Sequence, residues 1–176
     1  MTKRHLTALV TALAALVLVP AAVAHIGPSP SSAPAGATTI VGFAVGHGCD
    51  GSPTRQVSIQ IPAGVTAAKP RPKAGWRITI KRGKLPQPIK DFAGNTVTTG
   101  VLSVTWTGGP LADDYFDTFD LRLGMPETPG KTLYFKTVQR CTRGVERWIQ
   151  IPVKGQDEPE SPAPGVTLVK SVSQHD

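Results

Sequence analysis

The sequence predicts an all-β fold, an immunoglobulin-like or fibronectin-like antiparallel β-sandwich of seven or eight short strands. The 176 residues include 18 glycines and 17 prolines, a high density of turn formers. No long segment repeats apolar residues at helical spacing. Short runs instead alternate apolar and polar residues, which is typical of strands with one buried face. A small barrel is the alternative architecture.

The alternating runs define the predicted strands in chain order. In the second run, for example, Val57, Ile59 and Ile61 alternate with Gln56, Ser58 and Gln60. Glycine- and proline-rich turns separate the runs. The predicted strands cover residues 39–45, 56–61, 76–81, 102–107, 119–123, 133–138 and 147–151, with a weaker strand at 166–169.

The first 24 residues have the pattern of a cleaved secretory signal peptide. Lys3 and Arg4 precede an uncharged apolar run over 6–19, and Ala22-Val23-Ala24 provides the small-x-small cleavage pattern. This run is shorter than the roughly 20 residues of a spanning helix, so no membrane span is expected after cleavage. We therefore predict a periplasmic or secreted protein whose mature chain begins at His25.

The mature chain has the length of one domain. We assign the sandwich to residues 25–151 and an irregular C-terminal tail to 152–176, with one added strand at 166–169. The formal net charge is +7, and the basic residues are scattered along the sequence. Because no aromatic platform alternates with them, we expect a solvated basic surface and no nucleic-acid partner. Weak attraction to anionic envelope surfaces is the alternative.

Two cysteines, Cys49 and Cys141, are present. An even number in an exported chain favours a disulfide over a pair of metal-binding thiolates. Such a bond would close a loop of about 90 residues and add on the order of 4 to 5 kcal/mol of stability. No nucleophile elbow, phosphate-binding loop or His-Glu-x-x-His motif is present, so we expect no enzymatic activity.

The best candidate for chemistry is His25. After signal cleavage its α-amine and ring Nδ1 can chelate one metal ion, and this nitrogen pair suits Cu(II). His47, in a glycine-rich loop before Cys49, is a second candidate ligand, and Trp148 is either a core residue or part of the same site. A frayed N-terminus at His25 is the alternative interpretation.

In several blocks the sequence resembles the YcnI-like domain family of exported bacterial proteins linked to copper handling. The blocks follow one another in the family's order and with its spacing. They include His25 after the signal, Gly46-His47-Gly48-Cys49-Asp50-Gly51, Val57 to Val65, Val104-Thr105-Trp106-Thr107-Gly108-Gly109, Tyr115-Phe116-Asp117-Thr118-Phe119 and Arg147-Trp148-Ile149.

The resemblance implies an immunoglobulin-like sandwich with a single-histidine copper brace. His25 corresponds to the brace histidine, and Trp148 to a tryptophan close to the metal. The family's glutamate position falls on Cys49, with Asp50 beside it, so His47 and Asp50 are the candidate replacement ligands.

Our leading hypothesis is a non-enzymatic copper-binding protein that holds Cu(II) at His25 and passes copper to, or protects, an envelope partner. The alternative is a disulfide-stabilised structural or protein-interaction domain with incidental metal binding. A redox enzyme is a third reading, and it depends on His47 as a second histidine ligand.

Overall fold

Every regular element of the described residues, 25–91 and 93–171 of this computed structural model, is a β-strand. The predicted signal peptide lies outside these residues. Their strands are β1 (Gly27–Ser29), β2 (Ser32–Pro34), β3 (Thr38–Val45), β4 (Thr54–Gln60), β5 (Ala67–Pro70), β6 (Trp76–Lys90), β7 (Thr96–Leu111), β8 (Asp117–Gly124), β9 (Thr132–Tyr134), β10 (Thr137–Cys141), β11 (Val145–Trp148) and β12 (Gly165–Val169). No helix in this part of the chain is long and apolar enough to cross a membrane.

The strands form three sheets. A four-stranded sheet has the order β1-β3-β8-β5, a five-stranded sheet the order β11-β10-β4-β7-β6, and a three-stranded sheet the order β2-β12-β9. All neighbours are antiparallel except β12 and β2, which are parallel. The predicted all-β sandwich is therefore confirmed.

The core lies between the four- and five-stranded sheets, where the alternating apolar residues meet. Val57 and Ile59 of β4 are fully buried, as are Phe119 and Leu121 of β8. The Trp106 ring of β7 lies edge-on to the Phe119 ring, with centroids 5.5 Å apart. Period-two alternation thus places one face of each sheet in the core and the other in solvent.

The strand number of seven or eight was too low. Short strands such as β1, β2 and β5 carry too few residues for a visible alternation. The predicted strand over 133–138 is two strands, β9 and β10, each in a different sheet.

Strands β6 and β7 are also 15 and 16 residues long, because they continue as a two-stranded hairpin arm beyond the residues of β7 that pair with β4. The prolines and weak alternation of residues 82–90 concealed this arm in the sequence. Near its tip, the Asn95 backbone N–H donates to Asp91 Oδ1, which holds the pKa of the Asp91 carboxyl below its usual range.

The described part of the expected tail, residues 152–171, contributes to the core. Val166 and Leu168 of β12 are buried in it, and β12 lies between β2 and β9. Between β11 and β12 the chain is irregular, apart from an isolated bridge between Gln150 and Pro162. This connecting segment is the part of the C-terminal region that reaches His25.

Candidate metal site

Two of the predicted site residues, His25 and Trp148, are in contact. His25 precedes β1, and Trp148 is the last residue of β11. Their ring centroids lie 5.7 Å apart in an edge-on arrangement. The Trp148 side chain is only 2% exposed, whereas the His25 side chain retains 28% exposure. His25 therefore rests against a buried indole while its ring remains accessible to solvent.

His47 approaches the same indole from the loop between β3 and β4. The centroids of the His47 and Trp148 rings are 6.1 Å apart, again edge-on. His47 Nδ1 lies 2.6 Å from the Gly48 carbonyl oxygen, and since a carbonyl only accepts, Nδ1 carries the proton. This contact holds the His47 ring in place beside the indole.

Gly48 allows the loop its tight path beside His47. A Cβ at Gly48 would overlap the carbonyl oxygen of Ser52. The Gly48 N–H also donates to Asp113 Oδ1 at 2.7 Å, which ties the loop to the β7–β8 connection. A side chain at position 48 would therefore displace His47 from the indole.

The carboxylate nearest His25 is that of Glu158, which the sequence did not single out. Glu158 Oε1 lies 3.6 Å from His25 Nδ1, on the irregular segment between β11 and β12. Its side chain is 69% exposed, so the contact is a solvent-facing one. No periodicity or motif marks this residue, because it joins the site from a segment without regular structure.

The predicted ligand Asp50 lies elsewhere in the loop. Asp50 and Gly51 are the central residues of a two-residue turn closed by two backbone hydrogen bonds between Cys49 and Ser52. Both have positive φ, 47° and 73°, as expected for an Asp-Gly type I′ turn. The Asp50 side chain is exposed, and its carboxylate forms no ion pair with the described part of the chain.

Gln139 holds two of the site residues in place through hydrogen bonds. The sequence reasoning also missed this residue. This β10 residue is 1% exposed. Its Nε2 donates to the His47 carbonyl at 2.7 Å and to Thr54 Oγ1 at 2.8 Å. Its Oε1 accepts the Trp148 indole N–H at 3.2 Å. One buried amide thus fixes both the His47 loop and the orientation of the indole.

The predicted disulfide between Cys49 and Cys141 is confirmed. It joins residues 92 positions apart in sequence and connects the His47 loop to the end of β10. The Arg143 backbone N–H donates to Ser52 Oγ at 2.8 Å, a second link across the same junction. The loop carrying His47 is therefore covalently attached to the strand that carries Gln139.

Residues 25–168 match the profile of a family described as "Domain of unknown function (DUF1775)". The chain belongs to the DUF1775 family. The matched region of this DUF1775 domain begins at His25, the first residue after the predicted signal peptide.

A solved structure supports the fold of the DUF1775 domain. The chain is similar to an uncharacterized protein from Nocardia farcinica whose crystal structure is described as revealing an immunoglobulin-like fold. The two are 25% identical with a TM-score of 0.64, over 83% of this chain and 99% of the other. No curated protein sequence matches the chain.

Proposed function

We propose that the mature chain is an exported, non-enzymatic copper-binding protein that holds Cu(II) at a brace on His25 for copper trafficking or homeostasis in the cell envelope. This function follows the resemblance to the YcnI-like family. The observation that carries it is the convergence of His25 and His47 on the Trp148 indole, with Glu158 beside the His25 ring.

The donor set suits a brace better than a site built from side chains alone. Within residues 25–91 and 93–171, no group of three or more His, Cys, Asp or Glu side chains is arranged to hold a metal. A brace needs fewer side chains, because the α-amine of the mature N-terminus supplies one ligand. His25 Nδ1 would be the second ligand and the Glu158 carboxylate the third, in place of the family's glutamate.

Proton chemistry also favours a processed N-terminus. In the precursor the His25 nitrogen is a peptide amide, which is a poor ligand. Cleavage after Ala24 would convert it to an α-amine with a reference pKa of about 7.7 to 8.0, which a metal readily deprotonates near neutral pH. Copper binding would therefore be confined to the exported form.

The alternative function, a protein-interaction domain, is favoured by a separate observation. Tyr115 and Phe116, between β7 and β8, are 68% and 76% exposed. Adjacent exposed aromatic side chains are more typical of an interface than of a free surface. The copper titration below distinguishes this interpretation from the brace.

The test is Cu(II) titration of three proteins: the chain beginning at His25, the same chain with one extra N-terminal residue, and His25→Ala. The extra residue removes the amine from the chelate, and the substitution removes the ring nitrogen. Each change should weaken Cu(II) binding at least about a hundredfold, since each 1.4 kcal/mol corresponds to a factor of ten. The two losses should not add, because either change destroys the same chelate ring.

One extra residue at the C-terminus is the matched control and should leave the affinity unchanged. Electron paramagnetic resonance of the Cu(II) form should report nitrogen coordination that changes in both altered proteins. Equal Cu(II) affinity in the processed, extended and His25→Ala proteins would contradict the brace and favour the interaction domain.

A further inference from the structure

Several Lys and Arg side chains that are far apart in sequence lie together on the exposed face of the five-stranded sheet. Because antiparallel partners share a face, the strand registers give three cross-strand rows on this side. The rows are Val145, Arg140, Gln56, Thr107 and Arg77; then Arg147, Val138, Ser58, Thr105 and Thr79; then Ile149, Lys136, Gln60, Ser103 and Lys81.

These rows contain five cations and no carboxylate. All five side chains are exposed. A sixth cation, Lys84 of the β6–β7 arm, lines a cavity of about 610 Å³ together with Lys81 and Lys136. We call the six residues Arg77, Lys81, Lys84, Lys136, Arg140 and Arg147 the cationic face. No negative charge within the face offsets these positive charges. Its electrostatic potential therefore favours an anionic partner.

The cavity lies at one end of the cationic face and has walls of mixed character. Leu85 and Pro86 of the arm and Ile149 beyond β11 contribute apolar surface, while Ser58, Gln60 and Ser103 contribute hydroxyl and amide groups; none of its lining residues is acidic. Ser58 Oγ and Thr105 Oγ1 lie 2.8 Å apart at the centre of the sheet. Such walls can hydrogen-bond the hydroxyls of a sugar and pack against its C–H surface.

We propose that the cationic face binds an acidic polysaccharide, a chain of sugars bearing carboxylate groups. The lysines around the cavity would pair with the carboxylates, and the hydroxyl and amide rows would contact the sugar hydroxyls. The three rows contain no aromatic side chain, so the face lacks the stacking platform of single-stranded nucleic-acid binders. It also lacks the Trp, Tyr or Phe anchors typical of a membrane-interface surface.

The test is binding of fluorescently labelled polygalacturonate oligomers to the mature protein, measured by anisotropy at several salt concentrations. Lys81→Gln/Lys84→Gln/Lys136→Gln should weaken binding at least about tenfold and reduce its salt dependence, as expected when cation contacts are lost. The matched control is Lys69→Gln/Lys131→Gln/Lys170→Gln, which removes the same charge from exposed sites outside the cationic face. It should change the affinity less than about twofold.

Methyl-esterified oligomers test the carboxylate requirement and should bind at least about tenfold more weakly. Circular dichroism and thermal unfolding of both triple variants should match those of the unaltered protein, since all six substituted lysine side chains are exposed. Equal weakening by the two triple variants would overturn the proposal, because only net charge would then matter. Tighter binding to phosphatidylglycerol vesicles or to duplex DNA than to polygalacturonate would overturn it in favour of another anionic partner.

Discussion

At the scale of single residues, Gln139 connects the His47 loop to the Trp148 indole. Its amide contacts the His47 carbonyl, Thr54 Oγ1 and the Trp148 indole N–H. A buried polar side chain of this kind is stable only while all its partners are present. The same network that orients the site therefore contributes to the stability of the domain.

We expect Gln139→Leu to lower the free energy of unfolding by about 2 to 3 kcal/mol, because it leaves several buried polar groups unpaired. Urea denaturation monitored by tryptophan fluorescence measures this change. Gln60→Leu, on the exposed face of the same sheet, is the matched control and should alter stability by less than about 0.5 kcal/mol. Similar stabilities of the two variants would show that the buried amide network is not stabilising.

Glu158 is the residue on which the ligand assignment depends. If its carboxylate completes the brace, Glu158→Gln should weaken Cu(II) binding about tenfold, or about 1.4 kcal/mol, through loss of an anionic ligand. Titration of the mature protein measures this loss. Glu160→Gln changes the same charge two residues away and should have little effect. Loss of affinity in both variants alike would point to general electrostatics rather than ligation.

At the scale of elements, the site lies where three connections meet. The β3–β4 loop supplies His47, the β11–β12 segment supplies Glu158, and the residues before β1 supply His25. The loop is held by its type I′ turn and by the disulfide to β10, whereas the Glu158 segment has no such crosslink. His47 is therefore anchored more firmly than Glu158.

The disulfide should account for a large share of the folding free energy. Closing a loop of 92 residues corresponds to about 4 to 5 kcal/mol in the chain-entropy model. We expect Cys49→Ala/Cys141→Ala to lose about this much in denaturant unfolding. Reductant should lower the stability of the native chain and leave the double variant unaffected. A loss below about 1 kcal/mol would contradict the prediction.

Strand prediction succeeded where one face of a strand is buried and failed where neither face is. β3, β4 and β8 alternate clearly because one side of each lies in the core. The side chains in the outer half of the β6–β7 arm are exposed or only half-buried, so they have little reason to alternate. Its strands are maintained by pairing with each other across positions such as Lys84 and Thr99, which no local pattern encodes.

At the scale of the whole molecule, two surfaces have different chemistry. The candidate metal site includes His25 and Trp148, on the core-facing side of β11. The cationic face lies on the opposite side of the five-stranded sheet. The two proposals therefore concern separate groups of residues, and substitutions in the cationic face should leave copper binding intact.

In the proposed function, the copper site forms only after export and removal of the signal peptide. We expect the chain recovered from the periplasm or medium of a bacterial host to begin at His25, as measured by intact mass. Ala24→Arg should block cleavage, because signal peptidase requires a small residue there, whereas Ala21→Arg lies outside the small-x-small pattern and should not. A mature chain that begins at another residue would rule out the His25 brace.

The sequence by itself determined the all-β class and the cysteine pairing. Both follow from local or compositional signals: alternation of period two reports one buried face, and two cysteines allow a single intramolecular bond. His25 was also identifiable, because its candidate role depends on its position after a signal peptide rather than on a contact.

Only the tertiary structure decided that Glu158 lies beside His25, that Gln139 joins His47 to Trp148, and that six scattered cations share one surface. The Gln139 network and the shared cationic surface depend on which strands are neighbours and in what register, whereas the Glu158 contact depends on how an irregular segment packs. In each case the partners are far apart in sequence. A pattern read along the chain reports which face of a strand is buried. It does not report which distant segment crosses that strand, because strand pairing and loop packing are set by the whole core.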